Sequence, residues 1–321
     1  MLVYVEQDIF KSPAQVLVNT VNTVGVMGKG IAKRYKEVYP EMYSQYRELC
    51  ESNLLQIGKL WLYKTETKWV LNFPTKKHWR NPSKLEYIES GLKKFVSTYE
   101  EKKITSISFP QLGVGNGGLD WEKQVKPLME KYLKGLPIDV FIHLYDQKNS
   151  NIEHLDIENT IQWIHQNPRN LSINQVWDDL VSLVNSHSYG FQEDGWQVQM
   201  IDLSANSNED ASPQFDFDNQ YLNYFSLTHD GYNIAVTQGA LLDMWVKLRD
   251  YGYLVSYDFP SEFQKNNDFK IVSELLANLS YIDRIRLERT NGAEEIALTI
   301  NNKNLPIARG TSNGEVNAWI N

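Results

Sequence analysis

The sequence has a single cysteine, Cys50, in 321 residues. No disulfide can form within the chain, which fits a reducing compartment. No apolar run approaches the ~20 residues that a membrane-crossing helix needs. The first residues, Met1-Leu2-Val3-Tyr4-Val5-Glu6, carry neither a basic region nor a long apolar core, so they do not read as a signal peptide. A cytoplasmic protein is expected. Zinc-type spacing is missing from the six histidines, His78, His143, His154, His165, His187 and His229. The acidic stretch from Ser204 to Asn219 lacks the D-x-D-x-D-G order of a calcium loop and reads as a solvated loop.

What is present is ordinary for a globular protein: 42% hydrophobic and 22% charged residues, in a length that suits two domains. The net charge of −8 is unevenly spread. Residues 1–150 hold 22 Lys and Arg against 16 Asp and Glu, a net +6, whereas residues 151–321 hold 10 against 24, a net −14. Such asymmetry between halves points to different partners, although an acidic surface also simply aids solubility.

Strand and helix signals alternate through residue 145. Leu2–Val5 and Gln15–Val18 read as strands, with a turn at Ser12-Pro13 between them. Helices are expected from about Gly30 to Tyr39 and from Glu41 to Cys50, separated by Pro40. Lys59–Tyr63 and Lys68–Phe73 read as paired strands. Leu85, Ile88, Leu92, Phe95 and Tyr99 recur at helical spacing. Ile104–Phe109 is a strand, Trp121–Leu133 a helix containing Pro127, and Ile138–Tyr145 the last strand. This alternation predicts an α/β fold with a largely parallel or mixed sheet.

Two glycine loops each follow a strand and precede a helix. The first is Val24-Gly25-Val26-Met27-Gly28-Lys29-Gly30, entered through Asn19, Thr20 and Asn22. Free backbone N–H groups and a helix dipole favour an anion there, and the asparagines suit hydroxyls such as those of a ribose. An ordinary turn rich in small residues is the plainer account. The loop lacks the G-K-[ST] ending of a phosphate loop. The second, Pro110 to Trp121, contains Gly113, Gly115 and Gly118 in the dinucleotide pattern G-x-G-x-x-G. An acidic residue about 20 positions on is not well placed, since Asp139 starts the next strand and Asp146 comes late. That order argues against a nicotinamide-nucleotide oxidoreductase. Two such loops suit one ligand with a diphosphate. Between them lies Asn72-Phe73-Pro74-Thr75-Lys76-Lys77-His78-Trp79-Arg80, where Pro74 fixes the strand exit and a cationic, aromatic turn follows. A lysine there pairs with an anion, or acts as a nucleophile if its surroundings lower its pKa. It is otherwise a solvated basic loop.

These three motifs together resemble the macrodomain family, which binds ADP-ribose, and within it the DarG-type antitoxins of DarT–DarG toxin–antitoxin systems. The resemblance covers roughly residues 1–147. It implies an N-terminal macrodomain over residues 1–150, a mixed sheet flanked by helices; residues 151–321 read from their own strand and helix signals as a smaller α+β domain. The resemblance implies a DNA ADP-ribosyl glycohydrolase that removes ADP-ribose from thymidine in single-stranded DNA. Asp8 and Ile9 are implied to hold the adenine and Asn22 to contact the distal ribose. Gly28, Lys29, Gly30 and Ile31, with Gly113, Val114, Gly115, Asn116 and Gly117, are implied to wrap the diphosphate and that ribose. Lys76 matches the catalytic lysine, with Lys77 as competitor. In related glycohydrolases an aspartate in the second loop assists; the aligned position here is Gly117, with Asp120 nearby. No metal or cofactor is implied. The partner implied for the second half is a DarT-type toxin, whose basic DNA-binding cleft an acidic surface would fit. A non-catalytic ADP-ribose-binding module or a stoichiometric inhibitor is the alternative.

In that second half, helices are expected over Ile173–Ser188, Gly239–Tyr251 and Lys270–Leu279. Strands are expected over Trp196–Leu203 and Tyr253–Tyr257, with a hairpin from Ile282 to Ile300 around Asn291-Gly292. Residues 146–172 are polar, and the domain boundary is placed near them.

Overall fold

The short apolar runs of the first half become the strands of one sheet. The computed structural model describes residues 1–144, 153–186, 190–191, 195–202, 223–288 and 294–301. The six strands are β1 (Leu2–Val5), β2 (Val16–Asn22), β3 (Trp61–Lys64), β4 (Trp69–Lys76), β5 (Ser106–Pro110) and β6 (Asp139–His143). Their order is β1-β6-β5-β2-β4-β3. All neighbours are parallel except β3, which runs antiparallel to β4 at the edge.

Both faces are covered. Successive side chains of a strand point to opposite faces, so Val16 and Val18 join the core under α3 (Leu85–Thr98) and α4 (Lys126–Leu133). Leu17 and Val21 join the core under α1 (Gly30–Val38) and α2 (Pro40–Glu51). Pro40 divides α1 from α2 because a proline fits the first turn of a helix, where its missing N–H has no partner to lose. The helix expected over Trp121–Leu133 begins as a single π turn, Trp121–Val125, capped by Asp120, and becomes α4 only at Lys126.

One boundary differs in a way that matters for the site. Pro74 does not end its strand: β4 runs on to Lys76. The neighbouring β3 pairs only with Trp69–Asn72, so the side of β4 facing β3 has no ladder beyond Asn72 and the missing proline N–H is tolerated there. On the other side the register slips between Val21↔Pro74 and Asn22↔Lys76, leaving Thr75 as one extra residue on β4. Such a bulge re-aims the side chain that follows it, and here that side chain is Lys76.

The second half contains α5 (Ile157–Ile164), α6 (Ile173–Ser186), α7 (Gln238–Tyr251) and α8 (Phe269–Ala277). An antiparallel sheet joins β7 (Gly190–Phe191), β8 (Trp196–Asp202), β9 (Asn223–His229) and β10 (Tyr232–Thr237). A smaller one has the order β11 (Tyr253–Leu254), β13 (Glu294–Ile300), β12 (Ile282–Glu288). The expected strand Tyr253–Tyr257 stops at Leu254 and gives way to a 3-10 turn, Ser256–Asp258. Asp146, the acidic loop Ser204–Asn219 and the Asn291-Gly292 turn lie outside the described residues.

Val24, Val26 and Trp79 from the first half are buried in the core of the second, beside Trp177, Leu180 and Trp245. The junction is also polar. The Ile173 N–H at the start of α6 donates to Glu51 at 2.9 Å, and Arg249 of α7 pairs with the same carboxylate at 3.2 Å. Burial pushes the Glu51 carboxyl above its ordinary range, against the pull of Arg249, the Ile173 N–H and Arg47.

Candidate functional site

The site sits where the strands β2, β4 and β5 end. Asn22, the last residue of β2, is buried and fully engaged with the loop that follows it. Its Nδ2 donates to the Val26 carbonyl at 2.8 Å, and its Oδ1 accepts from the Val24 N–H at 3.2 Å and the Val26 N–H at 3.3 Å. Tyr46 of α2 donates to the Asn22 carbonyl at 2.8 Å and lies 3.1 Å from Oδ1. In this structure Asn22 therefore acts as the clasp of the first loop. A neighbouring pair, Asn19 and Asn72, meets across the strands at 2.9 Å.

The first loop hands the chain to α1. Lys29 is the residue before the helix, with extended backbone, and Gly30 takes a left-handed φ of +59°. The first backbone N–H groups of α1, from Gly30 onward, follow directly on this glycine loop, an arrangement that favours an anion. The Lys29 ammonium has no hydrogen-bond partner among the described residues and lies 4.2 Å above the Trp163 ring of α5. A Cβ at Gly28 would stand 2.9 Å from Ile164, so α5 packs tightly on this loop.

The second loop is wound on itself. Leu119 N–H donates to the Gly113 carbonyl at 3.1 Å, Gly118 N–H to Val114 at 3.1 Å, and Ser83 N–H to the Gly117 carbonyl at 2.9 Å. The two loops touch: a Cβ on Gly30 would lie 2.7 Å from the Asn116 side chain. Gly115 faces open space, while Val114 is buried in the core beneath.

Lys76 joins these parts. It is 5% exposed, and its Nζ donates to the Asn116 carbonyl at 2.6 Å, with the Trp79 carbonyl at 3.5 Å. Lys77 is exposed, and its carbonyl accepts from Thr23 N–H at 3.1 Å. Of the two lysines, only Lys76 is buried against the second loop. Gly117 has no room for a side chain: a Cβ there would stand 2.2 Å from the Gly113 carbonyl oxygen. Asp120 is exposed and spent on the following turn, accepting from Lys123 N–H at 2.8 Å. Neither position presents a carboxylate beside Lys76.

Asp8 and Ile9 open a 3-10 turn after β1. Ile9 is buried, and Asp8 pairs with Arg34 of α1 at 2.7 Å, one turn along from Gly30. Burial alone would raise the Asp8 carboxyl, but the Arg34 hydrogen bond and the Phe10 N–H outweigh it and hold the group below its ordinary value. Arg34 also lies 4.2 Å above the Phe10 ring. Ile31 packs in the same core as Ile9.

Residues 18–128 match the family model for the Macro domain. This part of the chain is a macrodomain. The sequence is 43% identical over 148 residues to a DNA ADP-ribosyl glycohydrolase of Thermus aquaticus, covering 44% of this chain and 41% of that protein. It is 43% identical over 159 residues to a DNA ADP-ribosyl transferase-DNA ADP-ribosyl glycohydrolase fusion protein of Thermosipho africanus, covering 44% and 41%. Among solved structures, the macrodomain of Mycobacterium tuberculosis DarG is 44% identical, with a TM-score of 0.44, and the match covers 46% of this chain and 99% of that one. The chain thus spans about two fifths of the length of the curated relatives it matches.

Several residues at the macrodomain site escaped the sequence reading. Arg34 belongs to the macrodomain itself. Trp163, Gln175 and Asp178 come from the second half. Trp79 inside a cationic turn was the available signal, since a tryptophan there has to be buried against something.

Proposed function

We propose that the chain is an antitoxin that removes ADP-ribose from thymidine in single-stranded DNA, with Lys76 as nucleophile. The observation that carries this reading is Lys76 itself, buried at a strand end against the second glycine loop, in a macrodomain whose relatives are named DNA ADP-ribosyl glycohydrolases. The two loops supply backbone donors for the diphosphate, Asp8 and Ile9 the adenine end, and Lys29 a cation beside the first loop. Chemically, the Lys76 amine in its uncharged form attacks the anomeric carbon of the distal ribose. The bond from that carbon to the thymine nitrogen breaks, and the base leaves with a proton. Water then releases ADP-ribose and restores the amine.

Residues 1–150 serve as the macrodomain, and residues 151–321 bind the DarT-type toxin. The net −14 of the second half supports that partnership, as does the relative in which transferase and glycohydrolase share one chain. A non-catalytic reader is favoured by one observation: the closed position at Gly117 leaves Lys76 without an aspartate there. Incubating the full chain with single-stranded DNA ADP-ribosylated on thymidine separates the two. A hydrolase returns unmodified DNA and free ADP-ribose over many turnovers, whereas a reader retains the modified DNA unchanged.

A further inference from the structure

The segment that follows Lys76 is gripped by the second half of the chain. Trp79 is 1% exposed and sits in the core of that half. Its indole Nε1 donates to Gln175 Oε1 of α6 at 2.6 Å. Gln175 Nε2 in turn donates to Asp179 Oδ1 at 2.7 Å. Asp179 is held by two further donors on its other oxygen, His165 Nε2 at 2.8 Å and the Tyr281 hydroxyl at 3.0 Å. A carboxylate accepts and an indole N–H only donates. The Gln175 amide therefore has one orientation that satisfies both neighbours, with its NH2 toward Asp179 and its oxygen toward Trp79. On either side of Trp79, Asp178 pairs with His78 Nε2 at 2.5 Å and Arg80 at 2.6 Å.

We infer that Gln175 is a positioning residue for Lys76, acting through Trp79, so that the second half of the chain sets the geometry of the macrodomain's lysine. The inference rests on the reading of Lys76 as nucleophile. The Gln175 side chain is hydrogen-bonded to Trp79 and Asp179. It fixes Trp79, whose carbonyl lies 3.5 Å from Lys76 Nζ and whose backbone is three residues along from it. A buried polar group with a single satisfied orientation specifies position more sharply than an apolar contact of the same size. Displacements of about 1 Å at a reacting group cost up to roughly a hundredfold in rate.

The test uses the full chain and Gln175→Met, which keeps the volume and removes both hydrogen bonds. Turnover on ADP-ribosylated thymidine DNA falls by about tenfold or more in kcat, while ADP-ribose affinity by calorimetry stays within about threefold. Leu276→Ala, in the same core but outside the network, is the control for general loosening: it lowers the melting temperature and leaves kcat unchanged. Labelling of Lys76 by an amine-reactive reagent, read by peptide mass spectrometry, becomes severalfold faster in Gln175→Met and not in Leu276→Ala. If both kcat and labelling in Gln175→Met match wild type, or if Leu276→Ala reproduces both changes, the inference is overturned. A wild type that turns over no substrate refutes the nucleophile reading instead, and the labelling comparison still decides whether Gln175 holds the lysine.

Discussion

Gly117, the second-loop position that the macrodomain resemblance aligns with an assisting aspartate, has no room for a side chain in the closed loop. A Cβ at this residue would lie 2.2 Å from the Gly113 carbonyl oxygen and 2.4 Å from Ser83 Oγ. The serine hydroxyl can rotate away. The carbonyl cannot, because it accepts from the Leu119 N–H at 3.1 Å. Accommodating a side chain means opening the second loop, and overpacking of this kind costs about 1–3 kcal/mol. The Ser83 N–H to Gly117 bond at 2.9 Å is strained by the same movement, and one hydrogen bond contributes about 1 kcal/mol. If the closed loop is the form that binds ADP-ribose, roughly 2 kcal/mol against it weakens binding by about thirtyfold, at 1.4 kcal/mol per tenfold. Calorimetry with ADP-ribose on Gly117→Ala and Gly117→Asp reads this directly. Gly135→Ala, where a Cβ meets nothing within 4 Å, is the neutral control. Both Gly117 variants binding like wild type, or Gly117→Asp hydrolysing faster, refutes the argument that the loop has no room.

Two further outcomes follow from charge. Asp8 is held below its ordinary value of 3.8, so its contribution to stability is complete above that value and is lost as pH falls through the lower folded value. Asp8→Asn therefore flattens the acid limb of a melting-temperature profile below about pH 4, and an unchanged limb shows that the Arg34 pair does not carry it. Association of the full chain with a DarT-type toxin slows as salt rises, since exposed charges are screened over about 8–10 Å at 0.1–0.15 M. A rate independent of salt in stopped-flow measurements means that the −14 of the second half does not steer the encounter.

Much of the first half was legible because its elements follow local rules. The paired glycine loops flank strand ends, Pro40 divides two helices, and the period of α3 is plain in Leu85, Ile88, Leu92 and Phe95. Pro74 misled for a physical reason: whether a proline ends a strand depends on whether the neighbouring strand extends far enough to need its N–H, and β3 does not. The hairpin of β9 and β10 was missed although Asp230-Gly231, both with positive φ, is a strong two-residue turn signal. The candidate site was legible in its loops and in Lys76. Its fastening was not, because Gln175 and Asp178 lie about a hundred residues beyond Trp79 and Arg80, and their spacing along α6 reads only as a polar stripe. The polar stretch taken as a boundary contains α5, whose Trp163 and Ile164 lie against the first loop.

Whether Lys76 is the nucleophile is decided by comparing turnover and binding in two lysine variants. Wild type, Lys76→Ala and Lys77→Ala are each incubated with single-stranded DNA ADP-ribosylated on thymidine, and released ADP-ribose is followed by chromatography, with calorimetry as the binding control. A nucleophile's contribution appears in the transition state rather than in the ground state. Lys76→Ala is expected to lose turnover while keeping most of its ADP-ribose affinity, and Lys77→Ala to stay active. Wild-type turnover in Lys76→Ala would exclude Lys76 as the nucleophile.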